Sequence, residues 1–320
     1  MYDFSKVVIT SSPHIKSKED TKSIMLDVLL ALIPSLAVST YVFGLRAILM
    51  TAVSIIACMV FEAIYDKIVG KENTVMDLSA AVTGVLLAFV CPVTLPYWML
   101  IIGDGIAIIF AKCIFGGLGK NFINPALAGR AFLLASYPTE MTTWVVPNGL
   151  AADAATYATP LAQLKNGALD ASLKQLVMGQ VGGTIGETCA IALIIGGIYL
   201  LYKHVISWKI PVIYIATVFI LFAVIGRHGM RMPLQEIFAG GVMLGGIFMA
   251  TDYASSPVTP KGQVIFAVGA GLLTYLIRTF GGYPEGVSYS ILIMNCCVPL
   301  IERFTEPTIF GALPKTKEAK

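Results

Sequence analysis

The sequence predicts an all-α polytopic membrane protein with about ten transmembrane helices, arranged as two inverted five-helix repeats that contain broken helices. Three observations lead to this prediction. Hydrophobic residues make up 57% of the 320 residues and charged residues only 13%, a balance outside the range of soluble domains. Apolar runs recur along most of the chain, and many approach the length that spans a bilayer. Finally, two tripeptides recur at the same spacing of 165 residues.

The apolar runs define ten predicted spans: 23–43, 47–65, 78–93, 97–115, 122–136, 185–202, 210–225, 237–250, 264–277 and 287–301. Several are short and interrupted by Gly or Pro, which is tolerated at membrane depth only where the backbone is buried in protein or lines a cavity. The predicted parts are a cytoplasmic segment (1–22), a first five-span repeat (23–136), an extracytoplasmic loop (137–184), a second repeat (185–302) and a cytoplasmic tail (303–320).

The distribution of basic residues predicts the orientation. With the N-terminus inside, fifteen Lys and Arg residues lie on the inner side and seven on the outer side, which follows the positive-inside rule. Both termini are then cytoplasmic, and the loop 137–184 faces outward. The first 22 residues are polar and contain no apolar run, so we expect no cleavable signal peptide.

The internal repeat rests on two matches. Pro-Val-Thr occurs at 92–94 and 257–259, and Phe-Gly-Gly occurs at 115–117 and 280–282. Each repeat contains an odd number of spans, so the second must be inverted relative to the first. Such a fold places its functional space between the repeats, beside broken helices. Recurrent Gly and Pro turn chemistry without a common architecture is the alternative.

The spacing of the cysteines and the small net charge argue against a metal site and against a nucleic-acid partner. The six cysteines lie in or beside apolar runs, and no two are separated by two residues. This spacing argues against zinc or a locally ligated iron–sulfur cluster, and we predict no metal site. Small packing residues are the simpler interpretation, with a cluster completed by a partner subunit as the alternative. A net charge of +3 does not indicate a nucleic-acid partner.

The most unusual stretch is the small polar segment 153–161, which lies in the long loop and contains Thr156 and Thr159. It is too polar for a span and too poor in large side chains for a core of its own. Its hydroxyl groups are therefore expected to be accessible, and an accessible Thr is a site where a group can be attached.

A glycine-rich segment near the outer end of the sixth predicted span contains Gly182, Gly183, Gly186 and Thr188. Glycines at a helix start allow backbone N–H groups to approach an anion such as phosphate, although helix capping and tight packing explain them equally well. Glu187 would repel a phosphate unless it faces elsewhere.

A basic cluster that includes Arg227 follows the seventh span. It could balance an extracytoplasmic phosphate or contact lipid headgroups.

Polar residues within or beside spans are further candidates. Asn124 opens the fifth span with Pro125, and its amide suits hydrogen bonding to a planar heterocycle. Arg130 is costly in lipid, so it should face protein, water or a ligand. Asp27, Asp104 and Asp252 are acids in or near spans, which makes each a candidate for an ion path, with a paired structural carboxylate as the alternative.

Several motifs together give a resemblance that covers nearly the whole chain. They lie at 12–17, 24–27, 124–126, 186–188, 249–252, 256–262 and 281–286. With them the chain resembles the D subunits of the Rnf complexes, which are ion-translocating ferredoxin:NAD oxidoreductases. These are related to the B subunit of the Na⁺-translocating NADH:quinone reductase.

The resemblance implies a cofactor at Thr159. The family carries FMN bound covalently through its phosphate to the last residue of a Ser/Thr-Gly-Ala-Thr motif, which here reads Thr156, Tyr157, Ala158 and Thr159. Tyr157 replaces the family's Gly, which is a departure from the motif. Gly182, Gly183, Gly186, Thr188 and Arg227 would then surround the tethered flavin. The family also implies a second, non-covalent flavin, riboflavin, which we place near Asn124 and Arg130.

The expected function is that of one membrane subunit of a redox-driven Na⁺ or H⁺ pump in a bacterial plasma membrane. It would pass electrons between ferredoxin and NAD without catalytic residues of its own. Its expected partners are an extracytoplasmic flavin-bearing subunit and other membrane subunits. A flavin-free inverted-repeat transporter or channel is the main alternative. The quinone-reductase subunit is a second one, although a longer N-terminal extension would be expected there.

Overall fold

The computed structural model describes residues 20–71, 74–145, 159–165, 172–179, 181–225, 232–282 and 285–307. Within these residues the regular structure is entirely helical and contains no strand, which confirms the all-α prediction. The helices of the N-terminal group are α1 (Thr21–Phe43), α2 (Leu45–Val69), α3 (Ser79–Phe89), α4 (Tyr97–Gly105) and α5 (Pro125–Ser136). A π-helix, Ile106–Cys113, continues α4.

Three short helices occupy the predicted loop: α6 (Pro138–Met141), α7 (Pro160–Lys165) and α8 (Leu173–Met178). The C-terminal group follows with α9 (Ala190–Tyr202), α10 (Lys209–Ile225), α11 (Met232–Phe238), α12 (Val242–Leu244), α13 (Pro260–Phe280) and α14 (Val287–Thr305). A second π-helix, Gly245–Met249, continues α12.

In the part of the chain that the structure describes, four helices are long and apolar enough to cross a membrane, namely α1, α2, α13 and α14. Shorter apolar helices are α3, α9 and α10. Many apolar side chains on the long helices face outward, for example Ile56 at 61% exposed. Lipid is the solvent that suits such a surface, because apolar side chains facing water would form a large exposed patch.

The structure interrupts three of the predicted spans. The span 78–93 ends as a helix at Phe89, because Pro92 and Pro96 lie in the chain that follows. The span 237–250 is divided among α11, α12 and the second π-helix. The span 185–202 becomes helical only at Ala190. In these three places the apolar composition correctly predicted that the residues are buried. It incorrectly predicted that they form one continuous helix.

A shared apolar core joins the two groups of helices. It includes Leu32 of α1, Phe89 at the end of α3, Leu127 of α5 and Phe248 of the second π-helix, all 5% exposed or less. Helix α1 packs against α9, and α5 packs against α14. Phe89, at the break after α3, and Phe248, in the π-helix after α12, therefore lie in the core where helices from both groups meet.

Candidate functional site

Thr159 lies directly before α7, at the rim of a cavity. Its Oγ1 atom accepts a hydrogen bond from the Ala162 backbone N–H at 3.2 Å, and its carbonyl accepts one from Gln163 at 3.0 Å. Its side chain is half-buried. A hydroxyl that satisfies the first turn of a helix has a fixed position, so the structure anchors this candidate attachment atom.

A small apolar core holds α7 in place. Leu161 and Leu164 of α7 pack with Leu176 of α8, Val181 and Ala239. The polar stretch 153–161 has no core of its own by sequence, but the short helices beside it supply one. Thr156, Tyr157 and Ala158 lie outside the described residues, as does Arg227, so the structure does not place the rest of the predicted motif.

The cavity beside Thr159 combines an apolar wall with open backbone. It encloses about 50 Å³. Its walls come from the loop helices, the glycine-rich segment and the region around α11: Trp144, Thr159, Pro160, Leu161, Leu176, Val181, Gly182, Gly183, Thr184, Glu187, Thr188, Phe238, Ala239, Gly240 and Glu285. The structure thus brings Thr159 together with Gly182, Gly183 and Thr188 of the predicted surroundings.

The glycines of the segment serve two different purposes. A Cβ atom at Gly183 would meet no atom within 4 Å, so its backbone faces open space. A Cβ at Gly186 would instead overlap the side chain of Phe89. The Gly186 N–H donates to the Phe89 carbonyl at 2.8 Å, and the Ile185 N–H donates to the Cys91 carbonyl at 3.1 Å. Gly186 is therefore needed for close packing, whereas Gly183 leaves backbone open toward the cavity.

This pairing also explains why α9 starts late. The backbone of residues 185–186 bonds to the end of α3 and not to its own next turn. Two serines of α1 complete the arrangement, since Ser35 donates to the Gly186 carbonyl at 3.2 Å and Ser39 donates to the Ile185 carbonyl. Backbone at this depth has no water to bond to, so these contacts satisfy its polar groups.

A buried ion cluster forms the floor of the Thr159 cavity. Arg130 of α5 lies 3.3 Å from the Glu187 carboxylate and forms a bidentate contact with Glu285. Glu285 also accepts from the Gly241 backbone N–H at 3.2 Å. Of the three surroundings expected for Arg130, namely protein, water or a ligand, the structure shows protein carboxylates. Because the Glu187 carboxylate is paired with the guanidinium, it would repel a phosphate less than a lone anion would.

The structure separates Arg130 from Asn124. Asn124 caps α5 through its Oδ1 atom, which accepts from Leu127 at 3.2 Å, and its Nδ2 donates to the Met249 carbonyl at 3.2 Å. With its amide oriented to satisfy both sides, Asn295 of α14 accepts from the Asn124 N–H at 3.0 Å. Arg130 lies farther along α5 and binds Glu187 and Glu285, which line the Thr159 cavity. The two residues predicted to hold one flavin therefore do not line the same cavity.

Asn124 lines a second cavity of about 70 Å³. Its polar wall includes Lys112, Asn121, Thr251 and Asp252, and its apolar wall includes residues of α1, α3, α9 and the second π-helix: Met25, Val28, Val82, Leu86, Leu200 and Phe248. Amide, hydroxyl and charged groups around an apolar slot suit a planar heterocycle with polar edges.

The three predicted ion-path acids lie in three different places. Asp104 lies inside the N-terminal group, against α2, and not between the two groups. Asp27 of α1 accepts from the Tyr199 hydroxyl of α9 at 2.6 Å and lies 3.7 Å from the exposed Lys203 ammonium. Asp252 lines the second cavity and accepts from Ser255 at 2.8 Å. The structure does not connect them into one path.

The residues around Thr159 fit a tethered flavin in three respects. Trp144, Leu161 and Phe238 provide an apolar face for a ring. The Thr184 hydroxyl is a buried polar group in the cavity wall, beside Glu187. The enclosed volume holds only the edge of a heterocycle, so a group bound to Thr159 would lie at the mouth.

Sequence reasoning missed several members of the site. Trp144 and Phe238 are distant in sequence from Thr159, and Glu285 lies in the segment that connects α13 to α14. The motif at 281–286 was the available signal for Glu285, although it gave no partner. No group of three or more His, Cys, Asp or Glu suited to a metal occurs in the described part of the chain.

Comparison with known proteins gives a consistent family. The chain is 53% identical over 319 residues, covering 98% of both proteins, to the D subunit of the Na(+)-translocating ferredoxin:NAD(+) oxidoreductase complex of Acetobacterium woodii. It is 46% identical, over 95% of its length and 96% of the relative, to the D subunit of the proton-translocating ferredoxin:NAD(+) oxidoreductase complex of Clostridium ljungdahlii. The D subunit of an ion-translocating oxidoreductase complex from Aliivibrio salmonicida is 36% identical, over 95% and 98% of the two chains.

These relatives match the chain almost from end to end, and residues 8–311 match the NQR2, RnfD, RnfE family as a whole. The glycine-rich segment, the Asn124 cap and the Glu285 segment, which build the two cavities, all fall within that match. The chain belongs to the NQR2, RnfD, RnfE family.

Proposed function

We propose that this chain is the D subunit of an ion-translocating ferredoxin:NAD oxidoreductase complex in a bacterial plasma membrane. Support comes from the relatives, whose lengths the chain covers almost completely. Two are named as D subunits of ion-translocating ferredoxin:NAD(+) oxidoreductase complexes, and the third as a D subunit of an ion-translocating oxidoreductase complex. The chain acts as one part of a translocase with other membrane subunits and an extracytoplasmic flavin-bearing subunit as partners. It is not active alone.

Thr159 carries a covalent FMN in this proposal. The observation that carries it is the position of the Thr159 hydroxyl, anchored by α7 at the mouth of a cavity with an aromatic wall and open glycine backbone. Attachment forms a bond from Thr159 Oγ1 to the phosphorus of an activated flavin phosphate, whose leaving group departs while the hydroxyl proton passes to water. When bound, the flavin supplies reversible electron transfer. The protein holds and orients the ring.

The second cavity is the proposed site of riboflavin. Asn124 and Asn121 present amides to it, and Met25, Val28 and Phe248 supply apolar contacts. Arg130, which we predicted beside this flavin, instead belongs to the ion cluster below the Thr159 cavity. Helix α5 therefore reaches both proposed flavin sites, with Asn124 at one end and Arg130 toward the other.

Ten membrane crossings and an inverted repeat remain part of the proposal. The order of helices supports them, because α3 and the π-helix after α12 are each followed by a non-helical stretch and then by another helix, α4 or α13. We place both termini in the cytoplasm and Thr159 outside. The relatives' names include both a Na⁺ and a proton pump, so membership of the family leaves the ion open.

Flavin fluorescence tests the attachment site. The full chain, produced with a flavin transferase, should give a fluorescent band after denaturing electrophoresis. Thr159→Ala should abolish the band, and Thr159→Ser should retain it, because the hydroxyl persists. Thr156→Ala is the matched control and should leave the band intact. A fluorescent Thr159→Ala band would refute the assignment and favour another attachment residue, and absence of flavin from every variant would favour a flavin-free transporter.

Cysteine labelling tests the orientation. An introduced cysteine at Asn166, directly after α7, should react with an impermeant maleimide added to intact cells. A cysteine at Lys71, at the end of α2, should react only after the cells are opened. The reverse pattern would show that the Thr159 side is cytoplasmic.

A further inference from the structure

A polar stripe runs along one face of α2. Ser54, Cys58, Glu62 and Asp66 follow one another at intervals of four residues, and each is at most 5% exposed. Side chains four residues apart lie on the same face of a helix. Helix α2 is apolar enough to span a membrane, and the stripe faces α3 and α4. A line of buried polar groups within a membrane helix is costly and indicates function.

Lys112 occupies the middle of this stripe. Its ammonium lies 2.6 Å from a Glu62 carboxylate oxygen and donates to the Ser79 hydroxyl, also at 2.6 Å. Asp66, one turn farther along α2, accepts from the backbone and hydroxyl of Thr74 at 3.1 and 3.0 Å. The Lys112 ammonium therefore fills, with a single positive charge, the oxygen-lined position that a small cation would take.

Asp104 lies at the other end of the stripe without a cationic partner among the described residues. Its Oδ1 atom lies 2.6 Å from Ser54 Oγ and 3.3 Å from Cys58 Sγ. Its Oδ2 atom and the Oε2 atom of Glu62 are fully buried and have no hydrogen-bond partner among the described residues. Because an isolated buried carboxylate is very unfavourable, Asp104 requires a proton or a bound cation.

The number of hydrogens that Ser54 can donate also indicates that Asp104 carries a proton. Its Oγ atom lies 2.8 Å from the Gly84 carbonyl as well as 2.6 Å from Asp104. A hydroxyl has one hydrogen to donate, and a carbonyl oxygen can only accept. Both contacts are hydrogen bonds only if the Asp104 carboxyl contributes a proton of its own. The site is thus built to hold a positive charge that can leave.

We propose that the α2 stripe, together with Asp104 and Lys112, is a transfer route for a monovalent cation, H⁺ or Na⁺, and that Lys112 holds it closed. Lys112 also lines the polar wall of the Asn124 cavity, so its ammonium can turn away from Glu62 toward that wall, beside the riboflavin proposed there. Withdrawal would leave Glu62 free to take the cation and pass it toward Cys58 and Asp104. The π-helix that bears Lys112 is a local departure from regular helix, a feature often found at functional sites.

This inference deepens the proposed ion translocation, and it locates the ion step inside the α2–α4 bundle and not between the two groups of helices. It can be tested without flavin or redox partners, so its failure is distinguishable from failure of the FMN proposal. The full chain is reconstituted in vesicles of phosphatidylethanolamine and phosphatidylglycerol. A potassium diffusion potential, negative inside, drives cations inward, while ²²Na⁺ uptake and a trapped pH dye report Na⁺ and H⁺ separately.

Neutral substitutions at Lys112 should open the route. Lys112→Met and Lys112→Gln should raise the flux of one cation about tenfold or more over wild type, as removal of a modest barrier would. Lys112→Arg should stay closed, because it retains the charge. Lys203→Met, which removes an exposed lysine beside Asp27, is the matched control and should match wild type. The cation that moves identifies the route as one for Na⁺ or for H⁺.

Adding Asp104→Asn to the open variant should return the flux to the wild-type level. Flux that persists in this double variant would show that the cation takes another way. If Lys112→Met and Lys112→Gln fold but show the same flux as wild type, Lys112 does not hold the route closed and the proposal is refuted. If neither neutral variant folds, as judged by its thermal melting curve, Lys112 is a structural strut that cannot leave Glu62, and the proposal is equally refuted.

Discussion

Removing the Arg130 guanidinium should destabilise the protein strongly, because it would leave two buried carboxylates without their cation. The Arg130 side chain is 7% exposed, and those of Glu187 and Glu285 are 5% and 17% exposed. Removing one partner from a buried ion pair costs about 3–5 kcal/mol. At about 2 °C per kcal/mol for a chain of this size, Arg130→Met should lower the melting temperature by about 6–10 °C.

The assay is thermal melting of the purified full chain in detergent, followed by intrinsic fluorescence. Arg130→Met combined with Glu187→Gln and Glu285→Gln should recover most of the loss, because no unpaired charge then remains buried. Lys203→Met is the control, since an exposed ion pair contributes at most about 1 kcal/mol. A shift for Arg130→Met no larger than that of the control would refute the reasoning, as would a failure of the triple variant to recover stability.

Two further predictions concern helix contacts and use the same melting assay. A Cβ atom at Gly196 would overlap the Ala31 carbonyl of α1, whereas one at Gly183 would meet open space. Gly196→Ala should therefore cost about 1–3 kcal/mol through overpacking, and an equal effect of Gly183→Ala would contradict this. Asn124→Ser keeps a cap for α5 but loses the bond to the Met249 carbonyl, so it should cost about 1 kcal/mol. Asn124→Asp should cost more, because it places a carboxylate oxygen against that carbonyl; the opposite order would argue against the contact.

The helical class and the position of most helices followed from the apolar runs, and the structure confirms them. The points at which the predicted spans are interrupted were harder to predict from the sequence. Pro92 and Pro96 signal the end of α3, but nothing local shows that residues 185–186 pair with Phe89 and Cys91 instead of beginning α9. Such pairing depends on chain segments almost a hundred residues apart. Periodicity reports only which residues are buried.

The candidate site, like the fold, could be predicted from the sequence only in part. The sequence singled out Thr159, Arg130, Glu187 and Asp104 as polar residues that needed an explanation. It could not supply their partners, because Glu285 lies 155 positions from Arg130 and Cys58 lies 46 positions from Asp104. Asn124 and Arg130, which we predicted beside one flavin, do not line one cavity, for a simple reason. Residues six apart on a helix are separated by about 9 Å along its axis, so Arg130 lies beyond the cavity that Asn124 lines.

Helix α5 is fixed to the C-terminal group at its start and at its middle, and this bears on how ions can move. At its start Asn124 bonds to Met249 and Asn295, and at its middle Arg130 binds Glu285. Rocking of one group of helices against the other, the usual motion of inverted-repeat transporters, would break both sets of contacts at once.

The cost of such rocking would include the buried ion cluster, at about 3–5 kcal/mol for a single broken pair. Movement of the Lys112 side chain away from Glu62 also breaks one buried ion pair, but it breaks none of the contacts of α5. The geometry therefore favours a rigid scaffold that keeps the two proposed flavin sites at a set separation along α5. Ions would pass through side-chain steps within α2–α4, whereas a carrier of small solutes would need the groups to part.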